Sequence, residues 1–381
     1  MSSNPTGKSP VRVEGSRLIR WRNRLLASHR FRSLVQKTPL LRRVARNNAN
    51  QLFGMVSGFV HSQVLLALVE LEILDQLETA DLTSADLAEL NQVPHDRMRV
   101  LLEAAKSLKL VQESRSGHYL PGPLGAVLAS DPGIQAMIRH HQALYRDLTE
   151  PVTLLRNPET KTKLSRFWAY ASEADASRAG LLEVSDYTGL MGASQAMVSE
   201  QILGSWSPKR SQSQSLLDVG GGDGHFLQAV ATRHKSLRLG LFDLPAVVDI
   251  ASERLGKEGL DQRVALYPGD FHRDPMPRDY STVSLVRILH DHDDDQALAL
   301  LKNIRQSIRP GGELLVAEPL KETRGAEQMG GAYFGLYLLA MGSGRPRSLA
   351  ELTKLIKSAG FSSIRNHKTD LPLVCSVITA E

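Results

Sequence analysis

Apolar and polar positions change their rhythm at about residue 209. Beyond it, Ser215–Val219, Leu237–Phe242, Arg263–Pro268, Thr282–Leu289 and Glu313–Glu318 are short apolar runs, separated by segments whose apolar residues recur at helical spacing. Strands that apolar are covered on both faces, so the alternation predicts a doubly wound parallel sheet. Two closing segments, around Ser363–His367 and Leu373–Thr379, resemble further strands with no parallel crossover helix between them.

Before residue 209 the pattern is helical. Leu52–Leu77 predicts a buried helix, and His61, Gln63, Glu70, Glu72 and Asp75 make it a poor membrane span. A serine cap at Ser84 starts a short helix, Pro94 opens another running to about Leu108, and Leu110–Leu120 predicts a hairpin around Ser116-Gly117. Helix, turn, helix, hairpin is the winged-helix order. Residues from about 130 to 208 read as mostly helical, with aromatic positions at Tyr145, Phe167, Trp168, Tyr170 and Tyr187. At the N-terminus, Leu18, Trp21 and Leu25 recur at helical spacing among Arg17, Arg20, Arg22 and Arg24, and Phe31, Leu34 and Val35 follow. That is a basic amphipathic arm. The expected division is an arm over 1–47, a helical, winged-helix-like domain over 48–208 and an α/β domain over 209–381.

Composition adds exclusions. At 381 residues, with 42% hydrophobic and 23% charged residues, the chain is an ordinary globular protein. Its one cysteine, Cys375, excludes an internal disulfide and a cysteine-rich metal site. The net charge of +5 is unevenly placed: residues 1–47 hold twelve Lys/Arg against Glu14 alone, so the arm is +11 and the remainder −6. Two readings of the arm stay open. It lies on an anionic membrane, each basic residue near the surface contributing about 1 kcal/mol, or it packs on a partner subunit. Asp81–Leu120 carries six acids and five bases; without a basic face it is expected to mediate dimerisation rather than bind nucleic acid. No signal peptide is evident, and the expected location is cytoplasmic.

The chemistry concentrates in Asp218-Val219-Gly220-Gly221-Gly222-Asp223-Gly224, between an apolar strand and a helix. Alternate glycines let the backbone approach a ligand closely. The spacing fits neither a P-loop nor a dinucleotide fingerprint; D-x-G-x-G-x-G is the form associated with S-adenosylmethionine. Asp243 closes the next strand, placed to take ribose hydroxyls. Asp270-Phe271 closes the third, where a carboxylate and an aromatic ring suit an adenine. His290 closes the fourth and Glu318 the fifth. Carboxyl ends of parallel strands share one edge of a sheet, so these side chains converge on one crevice. Asp293–Asp295 sit where a helix begins and favour its macrodipole, so no metal site is expected among them.

With these residues in place, residues of about 50–381 resemble the S-adenosylmethionine-dependent O-methyltransferases with an N-terminal winged-helix dimerisation domain. The matching stretches are LLDVGGGDGHFL, FDLPAVV, YPGDFHRDPMP, RILHDHDDDQALALLKNI and IRPGGELLVAEPL. RFRSLVQKTPLLRRVARNNANQLFGMVSGFVHSQVL, YTGLMGASQAMV and AMGSGRPRSLAEL extend the likeness to the bacterial carotenoid branch that methylates 1-hydroxy groups of acyclic carotenoids, the demethylspheroidene or hydroxyneurosporene O-methyltransferases. The resemblance implies a class I methyltransferase sheet and a homodimer. It also implies a carotenoid acceptor, and an arm serving peripheral contact with a photosynthetic membrane. It makes His290 the base; Glu318, one strand away, is then the first candidate to orient the imidazole and Asp291 the second. Asp218, Gly220, Gly222, Asp243, Leu244, Asp270 and Phe271 fall around the cofactor, and Met191 and Ser194 near substrate. The helix containing Tyr333 and Tyr337 faces substrate. One departure is His292, where the family has Trp. Competing readings are a phenolic polyketide O-methyltransferase, a tetrapyrrole C-methyltransferase and a winged-helix transcription regulator.

Overall fold

The structure is a computed structural model, and it describes residues 16–28, 39–167, 192, 195–208, 214–372 and 374–381. Its larger sheet has seven strands: β4 (Ser215–Val219), β5 (Arg238–Asp243), β6 (Val264–Pro268), β7 (Thr282–Val286), β8 (Glu313–Glu318), β9 (Arg365–His367) and β10 (Ser376–Ala380). Their order is β6-β5-β4-β7-β8-β10-β9. The first five are parallel, and β10 pairs antiparallel with both β8 and β9. Parallel β7 and β8 and antiparallel β10 are buried at every position, as the apolar runs require. One face is covered by helices Asp294–Ser307 and Leu349–Ser358, the other by His225–Arg233, Pro245–Lys257 and a helix at 195–205. Chain order reverses between β4 and β7, which opens a crevice at their carboxyl ends.

The N-terminal region carries a three-stranded antiparallel sheet, ordered β1-β3-β2, of β1 (Leu82–Thr83), β2 (Val111–Glu113) and β3 (His118–Pro121). With helices Ser84–Leu90 and His95–Ser107 it completes the winged-helix arrangement. The cap of the first helix is Thr83, not Ser84: the Thr83 hydroxyl accepts from Asp86 N at 3.3 Å while Asp86 Oδ2 accepts from Thr83 N at 2.8 Å. Strand β1, two residues long, is too short to show a period in the sequence.

The expected buried helix is corrected. Pro39–Glu70 forms one helix, buried against the domain core only from Val64 onward; Leu52, Phe53, Met55, Val56 and Phe59 are 64–71% exposed. Composition marks the apolar length, but burial needs a covering surface, and nothing among the described residues covers this half. By length and hydropathy alone, Ala45–Glu70 would also suffice to cross a membrane. The arm forms helix Ser16–Ala27 with Leu18 and Trp21 exposed. Phe31, Leu34 and Val35, like Trp168, Tyr170 and Tyr187, lie outside the described residues.

Candidate active site

The glycine loop leaves β4 at Val219. Gly220, Gly222 and Gly224 have φ of 69°, 58° and 83°, the left-handed region that β-carbons disfavour. A β-carbon on Gly220 would stand 2.5 Å from Ile288 Cδ1, so the loop and the segment after β7 touch only because the side chain is absent. Asp218 lies beneath, 1% exposed, accepting the Ser284 hydroxyl at 2.6 Å; burial pushes its carboxyl up to about 7. It supports the loop from inside the sheet.

Asp243 ends β5 at the same edge. Its Oδ2 accepts from Gly222 N and its Oδ1 from Leu244 N, both at 2.8 Å, so it ties the glycine loop to the next helix. Burial pushes it up to about 6. Each carboxylate oxygen keeps a second lone pair for a hydroxyl. Leu244 is half-buried at the start of helix Pro245–Lys257. Asp270 follows β6, its Oδ1 accepting from His272 N at 2.8 Å, and Phe271 packs edge-on to His292 with ring centres 5.5 Å apart. A concave glycine loop, a diol acceptor and an aromatic ring on one sheet edge fit a nucleoside-bearing cofactor that lacks phosphate.

His290 does not close a strand. β7 ends at Val286, and His290 sits four residues on, in a single 3-10 turn, Leu289–Asp291. Arg287, with φ of 59°, redirects the chain there. The turn is held from three sides. Glu318 Oε1 accepts from Ile288 N at 3.0 Å and Leu289 N at 2.7 Å, while Oε2 takes His290 Nδ1. Arg347, 3% exposed, donates to the carbonyls of Leu289 and His292, and Arg345 N donates to the His290 carbonyl at 2.9 Å. Gly344 permits this approach, since a β-carbon there would lie 2.1 Å from His290 O. The stretch AMGSGRPRSLAEL is therefore the clamp of the turn that carries His290, a role its residue types did not announce.

Asp291 Oδ1 stands 3.1 Å from His290 Nε2. Burial acts to lower the His290 pKa, but Asp291 and Glu318 outweigh it and the value is raised; Asp291 is itself pushed up to about 6 by burial. His292 is held neutral by burial, down to about 3. Asp294, in the first turn of the following helix, pairs with Arg345 and Arg347 at 2.9 and 2.8 Å.

His290 and Asp291 open onto a cavity of about 500 Å³, lined also by Met137, Ile138, His141, Arg287, Met329, Tyr333, Phe334, Tyr337 and Val374. That size suits one small molecule or the end of a larger one. Phe334 packs edge-on to His290 at 5.8 Å. His141 and Met137 come from helix Pro132–Asp147 and were not expected; nearly two hundred residues separate them from Tyr333, and no local pattern links them. Met191 and Ser194 lie outside the described residues. Between them Gly192 abuts His225, where a β-carbon would stand 2.6 Å from the ring, and His225 bonds Asp223 at 2.6 Å.

A protein-family model described as an O-methyltransferase domain matches residues 145–362, and one described as an O-methyltransferase dimerisation domain matches 53–131. The chain belongs to the S-adenosylmethionine-dependent O-methyltransferases. This methyltransferase is 38% identical to the demethylspheroidene O-methyltransferase of Cereibacter sphaeroides, over 94% of this chain and 93% of that one. It is 29% identical to the acetylserotonin O-methyltransferase of Bos taurus, over 82% and 92% of the two chains. Human N-acetylserotonin methyltransferase in complex with SAM shares the fold, with a TM-score of 0.73 at 24% identity over 88% of this chain and 97% of that one. A calicheamicin-biosynthesis methyltransferase, CalO1, in its SAH-bound form gives 0.70 at 26% identity over 88% and 98%. The expected class I sheet and its winged-helix-like N-terminal domain are thus present in the methyltransferase.

Proposed function

We propose that the enzyme methylates the tertiary 1-hydroxyl of an acyclic carotenoid. The observation that carries this reading is the 38% identity to the Cereibacter sphaeroides enzyme, which extends over 94% of the chain. The cavity agrees with it: an apolar wall leads to one cluster of charged groups, and about 500 Å³ takes a hydroxylated end group rather than a whole C40 chain.

S-adenosylmethionine, when bound, supplies an electrophilic methyl group on a sulfonium. Gly220, Gly222, Asp243 and Phe271 would hold it at the sheet edge. A tertiary alkoxide is far more basic than imidazole, whose ordinary pKa is about 6.5, so His290 cannot deprotonate the alcohol beforehand. Its role is concerted: Nε2 would take the acceptor's hydroxyl proton during methyl transfer rather than before it. Asp291 and Glu318, one at each ring nitrogen, stabilise the imidazolium so formed. General-base assistance of this kind contributes typically 10²–10⁴-fold.

The reading extends to the assembly. Two copies join through the N-terminal domain, and the basic arm brings the remainder of the chain, net −6, to the cytoplasmic face of an anionic, photosynthetic membrane where the acceptor resides. The deciding experiment incubates purified enzyme with methyl-labelled S-adenosylmethionine and a panel of 1-hydroxycarotenoids, flavonoids and bacteriochlorophyllides. Label is expected in the carotenoids; label only in phenols overturns the reading.

A further inference from the structure

Among the described residues, the charged side chains lining the cavity are Asp131, Arg287, His290 and Asp291. Asp131 caps helix Pro132–Asp147, its Oδ1 accepting from Gly133 N and Ile134 N. The other three belong to one five-residue stretch at the catalytic end. Elsewhere the lining is apolar except for His141, Tyr333 and Tyr337.

These three are not independent polar groups. His141 Nε2 lies 2.8 Å from the Tyr333 hydroxyl, and its Nδ1 meets the Met137 carbonyl one helical turn back. A carbonyl oxygen only accepts, so the proton of the neutral ring resides on Nδ1 and Nε2 is a lone pair. Burial keeps the ring neutral by lowering its pKa, and keeps the Tyr333 phenol protonated by pushing it up to about 12. The Tyr333 O–H therefore donates to His141. His140 and Tyr337 are paired beside them at 2.7 Å.

We propose that the His141–Tyr333 pair determines acceptor specificity by masking a phenolic donor in the cavity wall. A hydrocarbon chain then meets no donor stripped of its water, and an aromatic acceptor bearing a carboxylate finds no donor there to replace its own. His141 acts through Tyr333 and is a positioning residue. The inference rests on the carotenoid reading above. Its energetic basis is an asymmetry: removing one partner of a buried hydrogen bond leaves the other unsatisfied, whereas replacing both by apolar groups of similar shape is close to neutral.

The test uses the full-length enzyme, methyl-labelled S-adenosylmethionine and two acceptors, a 1-hydroxycarotenoid in detergent micelles and 3-hydroxy-2-naphthoate. H141F leaves the Tyr333 donor only the weakly accepting Met137 sulfur at 3.9 Å, so kcat/KM for the carotenoid is expected to fall on the order of tenfold, chiefly through KM, while naphthoate methylation rises. H141F/Y333F is expected to recover most of that loss, as is H141Q, which returns an acceptor near the Nε2 position. An unchanged H141F, or a double variant whose loss is the product of the two single losses, overturns the pairing. Should H141F fail to fold, Y333F decides: it leaves the His141 lone pair facing the cavity, and is expected to improve kcat/KM for a carotenoid carrying a second hydroxyl near the end group. An unchanged acceptor profile overturns the proposal. Wild-type enzyme that labels naphthoate alone overturns the carotenoid reading and this inference with it. Wild-type enzyme that labels the carotenoid, with the two positions uncoupled, overturns the inference alone.

Discussion

Glu318 uses both carboxylate oxygens to build the turn that carries His290: Oε2 takes His290 Nδ1, and Oε1 takes the backbone N–H groups of Ile288 and Leu289. One side chain at the end of β8 thus sets both the path of the turn and the partner of Nδ1, while Asp291 stands at Nε2.

In Glu318→Gln, an amide must present its NH₂ to one of these donors, so kcat is expected to fall about 10²-fold or more. The pH profile separates this from simple disorder. The base form of His290 exists above its pKa, which the two carboxylates raise against burial. Removing one charge lowers that pKa, so the acid limb of kcat should move to lower pH while the plateau drops. An acid limb that stays in place would show that Glu318 does not act on His290.

Gly220 offers a test of the cofactor loop. Ala there must adopt φ near 69° and place its β-carbon against Ile288. Left-handed backbone alone costs about 1–2 kcal/mol per residue, so S-adenosylmethionine affinity by calorimetry should weaken about tenfold or more. Adding Ile288→Val removes the nearest atom but not the backbone penalty, so recovery should be partial. Full recovery would mean that the contact, not φ, is what matters.

Asp218 should leave a signature in stability. Its folded pKa, pushed up to about 7 by burial, lies above that of an unfolded aspartate near 3.9. Between those values the folded state binds more protons, so this group's contribution is fully present below about 3.9 and is lost as pH rises through about 7. Asp218→Asn keeps an oxygen for Ser284 and removes the titration. Its melting temperature should therefore decline less than wild type between pH 5 and 8. Parallel declines would place the titrating group elsewhere.

The exposed half of helix Pro39–Glu70 concerns assembly. Leu52, Phe53, Met55, Val56 and Phe59 form an apolar surface too continuous to be left in water. Phe53→Glu with Phe59→Glu should convert dimer to monomer in sedimentation velocity. A dimer that persists, with binding to anionic vesicles lost, would assign this face to the membrane instead. Deleting residues 1–47 makes the complementary test: vesicle binding should weaken while the dimer remains.

Much of the site could be read along the chain because its chemistry is local. The glycine spacing, the acids after the second, third and fifth strands and the apolar runs follow from the geometry of β-α units, so Gly220, Gly222, Asp243 and Phe271 fall on one edge once the strands are recognised. His290 was recognised by residue type but misplaced, since Arg287 at positive φ ends the strand early and periodicity carries no sign of that. The apolar content of residues 52–77 was equally plain, yet its burial was not, because composition records preference for leaving water and not whether a surface is present to cover it.

Tertiary structure alone decided the rest. Arg347 clamps the His290 turn from more than fifty residues away, and His141 meets Tyr333 across nearly two hundred. Neither contact has a period or a spacing. A helix or strand is specified by residues a few positions apart, whereas a buried polar pair is specified by which surfaces the core brings together, and that depends on the whole chain at once.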